Sequence, residues 1–290
     1  MKTLTTINEM NGWAKSGLRT GNSIGLVPTM GYLHEGHLSL VKKARQENDV
    51  VVTSIFVNPT QFGRNEDLST YPRDPEGDSA KLERAGVDVL FLPEVRELYG
   101  PGHETFVELE RLPRPLCGKS RPGHFRGVAT IVLKLLNIVQ PARAYFGKKD
   151  YQQLQVITRM VKDLNVPTEI IGCPIVRESD GLAMSSRNSY LSPAQRKQAI
   201  CLYEALMIAG RLFAVGESDS RAYVNAMKDR IMAEPEATID YISVVHPETL
   251  ENLTKVNGDA LVALAVKVGN TRLIDNMSLT ESMNISTNCI

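Results

Sequence analysis

Residues 50–57 read VVVTSIFV, almost continuously apolar and β-branched. A strand buried on one face alternates polar and apolar side chains. A strand without that alternation is buried on both faces, as in a parallel sheet covered by helices above and below. Residues 87–92 (VDVLFL) follow the same pattern, and shorter strands are expected at 24–27 (IGLV), at 144–146 entering Gly147, and at 169–176, broken by Pro174. Between these runs the apolar period lengthens to that of a helix. Leu38, Val41 and Ala44 follow the first strand, residues 75–85 end at Gly86, and residues 128–139 stop at Pro141. Residues 150–164 are expected to form another helix, with Leu154, Ile157, Val161 and Leu164 on one stripe. Strands alternating with helices predict βαβ units, and therefore a Rossmann-like α/β domain with a doubly wound, mostly parallel sheet.

The pattern changes after Val176, which sets a boundary between a first domain at 1–177 and a smaller α+β domain at 178–290. Ser192-Pro193 is a helix start, an N-cap followed by proline at the first helical position. One helix is expected from there to Ala214, with Ala199, Leu202, Leu206, Ala209 and Phe213 on its buried stripe. A second helix at 220–233 and strands at 239–245, 260–268 and 272–276 complete the domain, and residues 280–290 read as a frayed polar tail.

The charge balance, 33 basic against 33 acidic residues over 290, argues against a nucleic-acid or membrane-surface role. No signal-peptide core or bilayer-spanning run is visible, and the four cysteines show no Cys-x-x-Cys spacing. A protein of the reducing cytoplasm with incidental free thiols is the expectation.

Residues 28–37 (PTMGYLHEGH) sit between the first strand and its helix. The order strand, glycine-containing turn, helix places His34 and His37 at a helix N-terminus, beside free N–H groups and the positive end of the dipole. Phosphate binds well there, and two imidazoles can donate hydrogen bonds to it. Surface histidines with one acting as a cap are the plain alternative. A zinc pair lacks a third ligand, because the adjacent Glu35 does not share their face.

Four further stretches carry chemistry. Residues 56–62 (FVNPTQF) put Asn58 and Gln61 beyond the end of the buried strand, where ligands of open α/β sheets bind, although Asn-Pro is also common turn chemistry. Residues 147–153 (GKKDYQQ) put Lys148 and Lys149 at a helix start, which is unfavourable unless an anion sits there. Asp150 and Gln153 have capping-box spacing, so an ordinary helix start with solvated lysines stays open. Residues 182–188 (LAMSSRN) read either as an adaptable anion-binding loop or as a flexible linker. Asp74, with Glu76 and Asp78, could bind Mg²⁺ through water or simply cap the next helix. Residues 118–127 (GKSRPGHFRG) are basic, and read as a mobile anion-binding loop or a solvated connection.

The motifs PTMGYLHEGH, FVNPTQF, YPRD, RPGHFRGVAT, YFGKKDYQQ and LAMSSRNSYLS occur in this order across residues 22–191. Together they closely resemble the pantoate–β-alanine ligase family. The region after residue 191 resembles that family's C-terminal domain more weakly. His-x-Gly-His alone is similar only to the wider nucleotidylyltransferase and class I aminoacyl-tRNA synthetase superfamily. The family resemblance implies an ATP-dependent condensation of pantoate with β-alanine, through pantoyl adenylate, releasing AMP and pyrophosphate. It implies that Met30, Gly31, Tyr32, Leu33, His34, Glu35, Gly36 and His37 line the ATP site, with His37 as general acid. Gly147, Lys148, Asp150 and Val176 would contact the nucleotide and Lys149 a phosphate. Met184, Ser185, Ser186 and Arg187 would close over the triphosphate. Gln61 and Gln153 would hold pantoate, with Asn58 beside them and Gln61 also near β-alanine. Asp74 would support Mg²⁺ indirectly. A homodimer is likewise implied. The family often has glutamate where this chain has Lys148. A nucleotidylyltransferase that keeps the nucleotide on its product is the alternative enzyme, and a non-catalytic nucleotide-binding module the alternative class.

Overall fold

The computed structural model describes residues 1–64 and 66–280. The chain divides into two compact units. The first comprises Met1–Glu110, Arg121–Lys148 and Gln153–Val176, and the second Arg111–Ser120, Lys149–Gln152 and the chain from Arg177 onward.

The first unit runs β1 (Lys2–Leu4), α1 (Ile7–Arg19), β2 (Ile24–Thr29), α2 (Glu35–Glu47), β3 (Val50–Ile55), α3 (Pro75–Arg84), β4 (Val89–Phe91) and α4 (Val95–Leu98). After α5 (Cys117–Ser120), which belongs to the second unit, come α6 (His124–Val139), β5 (Arg143–Gly147), α7 (Tyr151–Asp163) and β6 (Glu169–Cys173). The six strands form one sheet in the order β1-β4-β3-β2-β5-β6, and every pair is parallel. Val27, Val51 and Leu90 pack with Leu40, Val41 and Ala44 of α2. Leu26 and Val52, one residue away on each strand and equally buried, turn to the opposite face. Burial on both faces is what the unalternating VVVTSIFV run requires, and the doubly wound α/β expectation is met.

Strand order reverses at β2. The chain steps outward from β2 through β3 to β4 on one side, and from β5 to β6 on the other. The loops after β2, β3 and β5 therefore leave the same edge of the sheet around its switch point, where such folds bind ligands.

The second unit adds α8 (Pro193–Gln198), α9 (Cys201–Ala214), α10 (Ser220–Met232) and an antiparallel sheet of β7 (Ala237–Val245), β8 (Leu261–Val268) and β9 (Thr271–Ser278). Val262, Leu264, Val266 and Val268 face Leu202, Leu206, Tyr223 and Met227 of the helices. The intervening Leu261 and Ala263 face the other way, onto Val245, Leu250 and Leu116.

Several expected boundaries move. The helix expected at 128–139 begins at His124, because Gly127 hid its first turn. The expected single helix at 193–214 is broken after Gln198, where the Leu202 N–H bonds back only three residues to the Ala199 carbonyl at 3.2 Å. α7 ends at Asp163, so Leu164, counted on its stripe, is 51% exposed. β6 ends before Pro174, which offers no ladder N–H. Leu38 is only half-buried, and Leu40 takes its place in the core. Residues 1–20 carried no expectation, yet β1 and α1 form there. Thr6 and Glu9 make a reciprocal capping box at α1, a readable Thr-x-x-Glu signal. Residues 281–290, the bulk of the expected frayed tail, and Cys289 lie outside the described residues. Among the described residues no helix is long and apolar enough to cross a membrane.

Cys117, Cys173 and Cys201 are buried free thiols. Burial pushes the Cys201 thiol up from 9.0 to about 12. Burial likewise raises the Tyr145 phenol, which donates to Glu47 Oε2 at 2.9 Å, from 10.0 to about 12. The folded chain thus keeps protons that the unfolded chain releases. Their stabilising contribution is complete below pH 9.0 and is lost as pH rises toward about 12. The melting midpoint should therefore fall across that alkaline window, and less steeply in Cys201→Ala. A midpoint that does not move with pH there would contradict these assignments.

Candidate active site

The turn after β2 is held from below by one carboxylate. Gly31 and Tyr32 both adopt left-handed backbone, at φ 82° and 51°. For tyrosine that conformation costs about 1–2 kcal/mol. Asp78 of α3, 1% exposed, offsets the cost by accepting from the Tyr32 and Leu33 N–H groups, each at 2.7 Å. A Cβ on Gly31 would come within 3.1 Å of the same carboxylate. Lys81 completes the clamp, donating to the Leu33 carbonyl at 2.8 Å. Asp78, read from sequence among possible Mg²⁺ carboxylates, is thus occupied by backbone amides. Asp74 caps α3 by accepting from the Gly77 N–H at 3.0 Å. Among the described residues no group of three or more His, Cys, Asp or Glu side chains could hold a metal ion.

The clamped turn delivers His34 to the N-cap of α2 and His37 to its third position. His34 Nδ1 accepts from the Gly36 N–H at 3.1 Å, and His37 Nδ1 accepts from the His34 N–H at 3.3 Å. The rings lie 4.1 Å apart. A neutral imidazole whose Nδ1 accepts carries its proton on Nε2. Reciprocal capping therefore makes Nε2–H the donor on both histidines, at the positive end of a helix. Glu35 is exposed and Gly36 supplies an amide to the cap.

At the end of β3 a 3₁₀ turn, Pro59–Gln61, presents the second group. Asn58, 1% exposed, is engaged within the protein: its Nδ2 donates to Gln61 Oε1 at 3.0 Å and to the Gly127 carbonyl at 3.1 Å. Its Oδ1 accepts from the Thr60 hydroxyl at 2.9 Å. Gln61 Nε2 lies 3.2 Å from Met30 Sδ, which joins this turn to the histidine loop. A Cβ on Gly127 would lie 2.7 Å from the Gln61 nitrogen, so α6 and the turn meet backbone to backbone.

The RPGHFRG stretch turns out to be a buttress, not a solvated loop. His124 Nδ1 and Arg121 both donate to the Gln61 carbonyl, at 2.8 and 3.3 Å. Arg121 also grips Glu66 with two hydrogen bonds, at 2.7 and 2.5 Å. Burial works against the Glu66 carboxylate, but the Arg121 pair outweighs it and holds the group below its ordinary range. Tyr99, whose phenol burial pushes up, bonds Thr60 Oγ1 at 3.2 Å. No sequence signal pointed to Tyr99.

Gly147 ends β5, and Lys148 opens a 3₁₀ turn, Lys148–Asp150, that runs straight into α7. The capping box suggested by Asp150 and Gln153 is therefore replaced by a continuous helical entry. The Lys148 stem lies over β6, its Cγ 3.6 Å from where a Gly172 side chain would begin. Gln153 and Val176 are half-buried.

In the second unit, Lys149 Nζ stands 3.9 Å from the Asp150 carboxylate. Ser185 caps a 3₁₀ turn, Ser186–Tyr190, accepting from the Arg187 N–H at 3.3 Å, and Ser186 is buried. This stretch is not a slack linker. Arg177 and Ala183 pair as a β-bridge, and Asn188 donates to Glu178 at 2.8 Å and to the Ala183 carbonyl at 3.2 Å. Arg196 braces the same hairpin through Glu178 and Asp180, at 2.6 and 2.8 Å.

A family model described as pantoate-beta-alanine ligase matches residues 2–278. The chain belongs to the pantoate–β-alanine ligase family. It is 58% identical over 277 residues to the pantothenate synthetase of Acetivibrio thermocellus, spanning 96% of this chain and 99% of that protein. The Moorella thermoacetica pantothenate synthetase is 57% identical over 279 residues, again 96% and 99%. Among solved structures, a pantothenate synthetase of Thermus thermophilus superposes with TM-score 0.91 at 48% identity, covering 96% of this chain and 99% of that one. The pantoate-beta-alanine ligase of Francisella tularensis, complexed with beta-gamma ATP and beta-alanine, gives TM-score 0.82 at 39% identity, covering 97% and 98%. The family's six-stranded parallel core and small antiparallel domain are thus both present.

Proposed function

We propose that this chain ligates pantoate to β-alanine with ATP, through a pantoyl adenylate. The pantoate carboxylate oxygen forms a bond to the α-phosphorus, the bond to the β-phosphate oxygen breaks, and pyrophosphate leaves. The β-alanine amine then attacks the acyl carbon, and AMP departs as pantothenate forms. A carboxylate resists amines, and the adenylate supplies the leaving group.

The observation that carries this reading is the reciprocal capping of His34 and His37, which puts the ring proton on Nε2 of each at the N-terminus of α2. Phosphoryl transfer requires placement and charge stabilisation more than covalent help. Two fixed donors on a positive helix end supply both, with His37 directing its Nε2–H as a hydrogen bond to the departing pyrophosphate, which leaves as the anion. Met30–His37, Gly147, Lys148, Asp150 and Val176 are assigned to the nucleotide, Lys149 to a phosphate, and Met184, Ser185, Ser186 and Arg187 to the triphosphate. Gln61 and Gln153 are assigned to pantoate, Gln61 also serving β-alanine. Asn58 acts through Gln61, since both ends of its amide are engaged within the protein. Asp74 would hold Mg²⁺ indirectly, through water, and the ion would supply charge neutralisation at the triphosphate. The enzyme is assigned to the cytoplasm as a homodimer.

Pantoate alone should support ATP–pyrophosphate exchange, and free AMP should accumulate only when β-alanine is added. No exchange by folded protein would defeat the adenylate. A nucleotide retained on the product would establish a nucleotidylyltransferase instead.

A further inference from the structure

β9 carries two adjacent buried polar residues, Asp275 at 2% and Asn276 at 5% exposure. Buried carboxylates and amides destabilise a sheet unless they are paired. One partner, Lys149, is assigned above to phosphate, and the other, Arg177, pairs with the chain that leads into the Met184–Arg187 stretch. Asn276 Nδ2 donates to the Lys149 carbonyl at 2.8 Å. Asp275 receives two hydrogen bonds from Arg177, at 2.6 and 3.1 Å. Arg177 also bridges Ala183, the residue before Met184. Consecutive residues of one strand thus seat both phosphate-facing stretches of the second unit. The Lys149 bond crosses 127 positions of sequence and fixes the backbone from which that side chain extends.

We infer that Asn276 is a positioning residue for adenylation, which holds the Lys149 carbonyl so that the ammonium meets the triphosphate, while Asp275 seats the Met184–Arg187 stretch through Arg177. This rests on the assignment of Lys149 made above.

The test separates the two half-reactions. Asn276→Ala should raise the KM for ATP in pantoate-dependent pyrophosphate exchange by roughly three- to tenfold, the worth of one hydrogen bond. Its rate of pantothenate formation from added pantoyl adenylate and β-alanine should match wild type. Asn276→Gln, which keeps an amide donor, should recover most of the exchange. On a Lys149→Ala background, Asn276→Ala should add nothing. Wild-type exchange in Asn276→Ala, equal loss in both half-reactions, or multiplying effects in the double variant would each overturn the inference. Should Asn276→Ala not fold, Asn276→Leu, which keeps the size and removes the donor, takes its place: loss of exchange with a normal second half-reaction supports positioning, and wild-type exchange or equal loss in both halves refutes it. Wild-type exchange in Lys149→Ala would instead overturn the Lys149 assignment, and the inference with it.

Discussion

His37→Ala should lower pantoate-dependent ATP–pyrophosphate exchange by about 10²–10³-fold while leaving a folded protein. The loss is large because the ring is the proposed hydrogen-bond donor to the departing pyrophosphate, and its Nε2–H is fixed by the bond that Nδ1 accepts from the His34 amide. The structural cost is small, because one capping interaction contributes only about 1 kcal/mol. His37→Gln separates the two roles. Glutamine at the third helical position can still cap the His34 N–H, so it should restore the melting midpoint and not the exchange. Wild-type exchange in either variant would remove His37 from the chemistry.

Asp78→Asn should destabilise the fold by about 1–3 kcal/mol and sharply weaken exchange. Two backbone amides, those of Tyr32 and Leu33, each point at one oxygen of this carboxylate. An asparagine offers one acceptor and one donor, so one amide loses its partner and faces another N–H in a buried site. Tyr32 then has little to hold it in its left-handed conformation, and the histidine loop loses its shape. A denaturant midpoint and an exchange rate both unchanged would show that the clamp is dispensable.

These two residues mark what a sequence can and cannot disclose. His34 and His37 were legible because strand, turn and helix are local, and the spacing alone puts both rings at a helix start. The parallel sheet was legible from the missing alternation in VVVTSIFV. Asp78 was read as a possible Mg²⁺ carboxylate or part of a helix cap, because its partners lie 45 and 46 residues away and nothing local marks them. Asn58 looked like a ligand contact, since only the fold shows its amide engaged by Gln61, Gly127 and Thr60. The RPGHFRG stretch looked solvated because the partners of Arg121 and His124, Glu66 and the Gln61 carbonyl, become neighbours only when α6 packs against the 3₁₀ turn. Strand order was likewise hidden, because pairing across long sequence separations leaves no periodic trace.

The second unit draws its body from three separate stretches of chain. Leu116, with Leu112 and Tyr151 beside it, covers the face of β8 that Leu261 and Ala263 present. Cutting the gene before Arg177 would strip that cover and leave an oily surface exposed. The two halves of this enzyme are therefore poor candidates for modular shuffling. A chimera that keeps its solubility must transplant the outlying segments together with the carboxy-terminal piece.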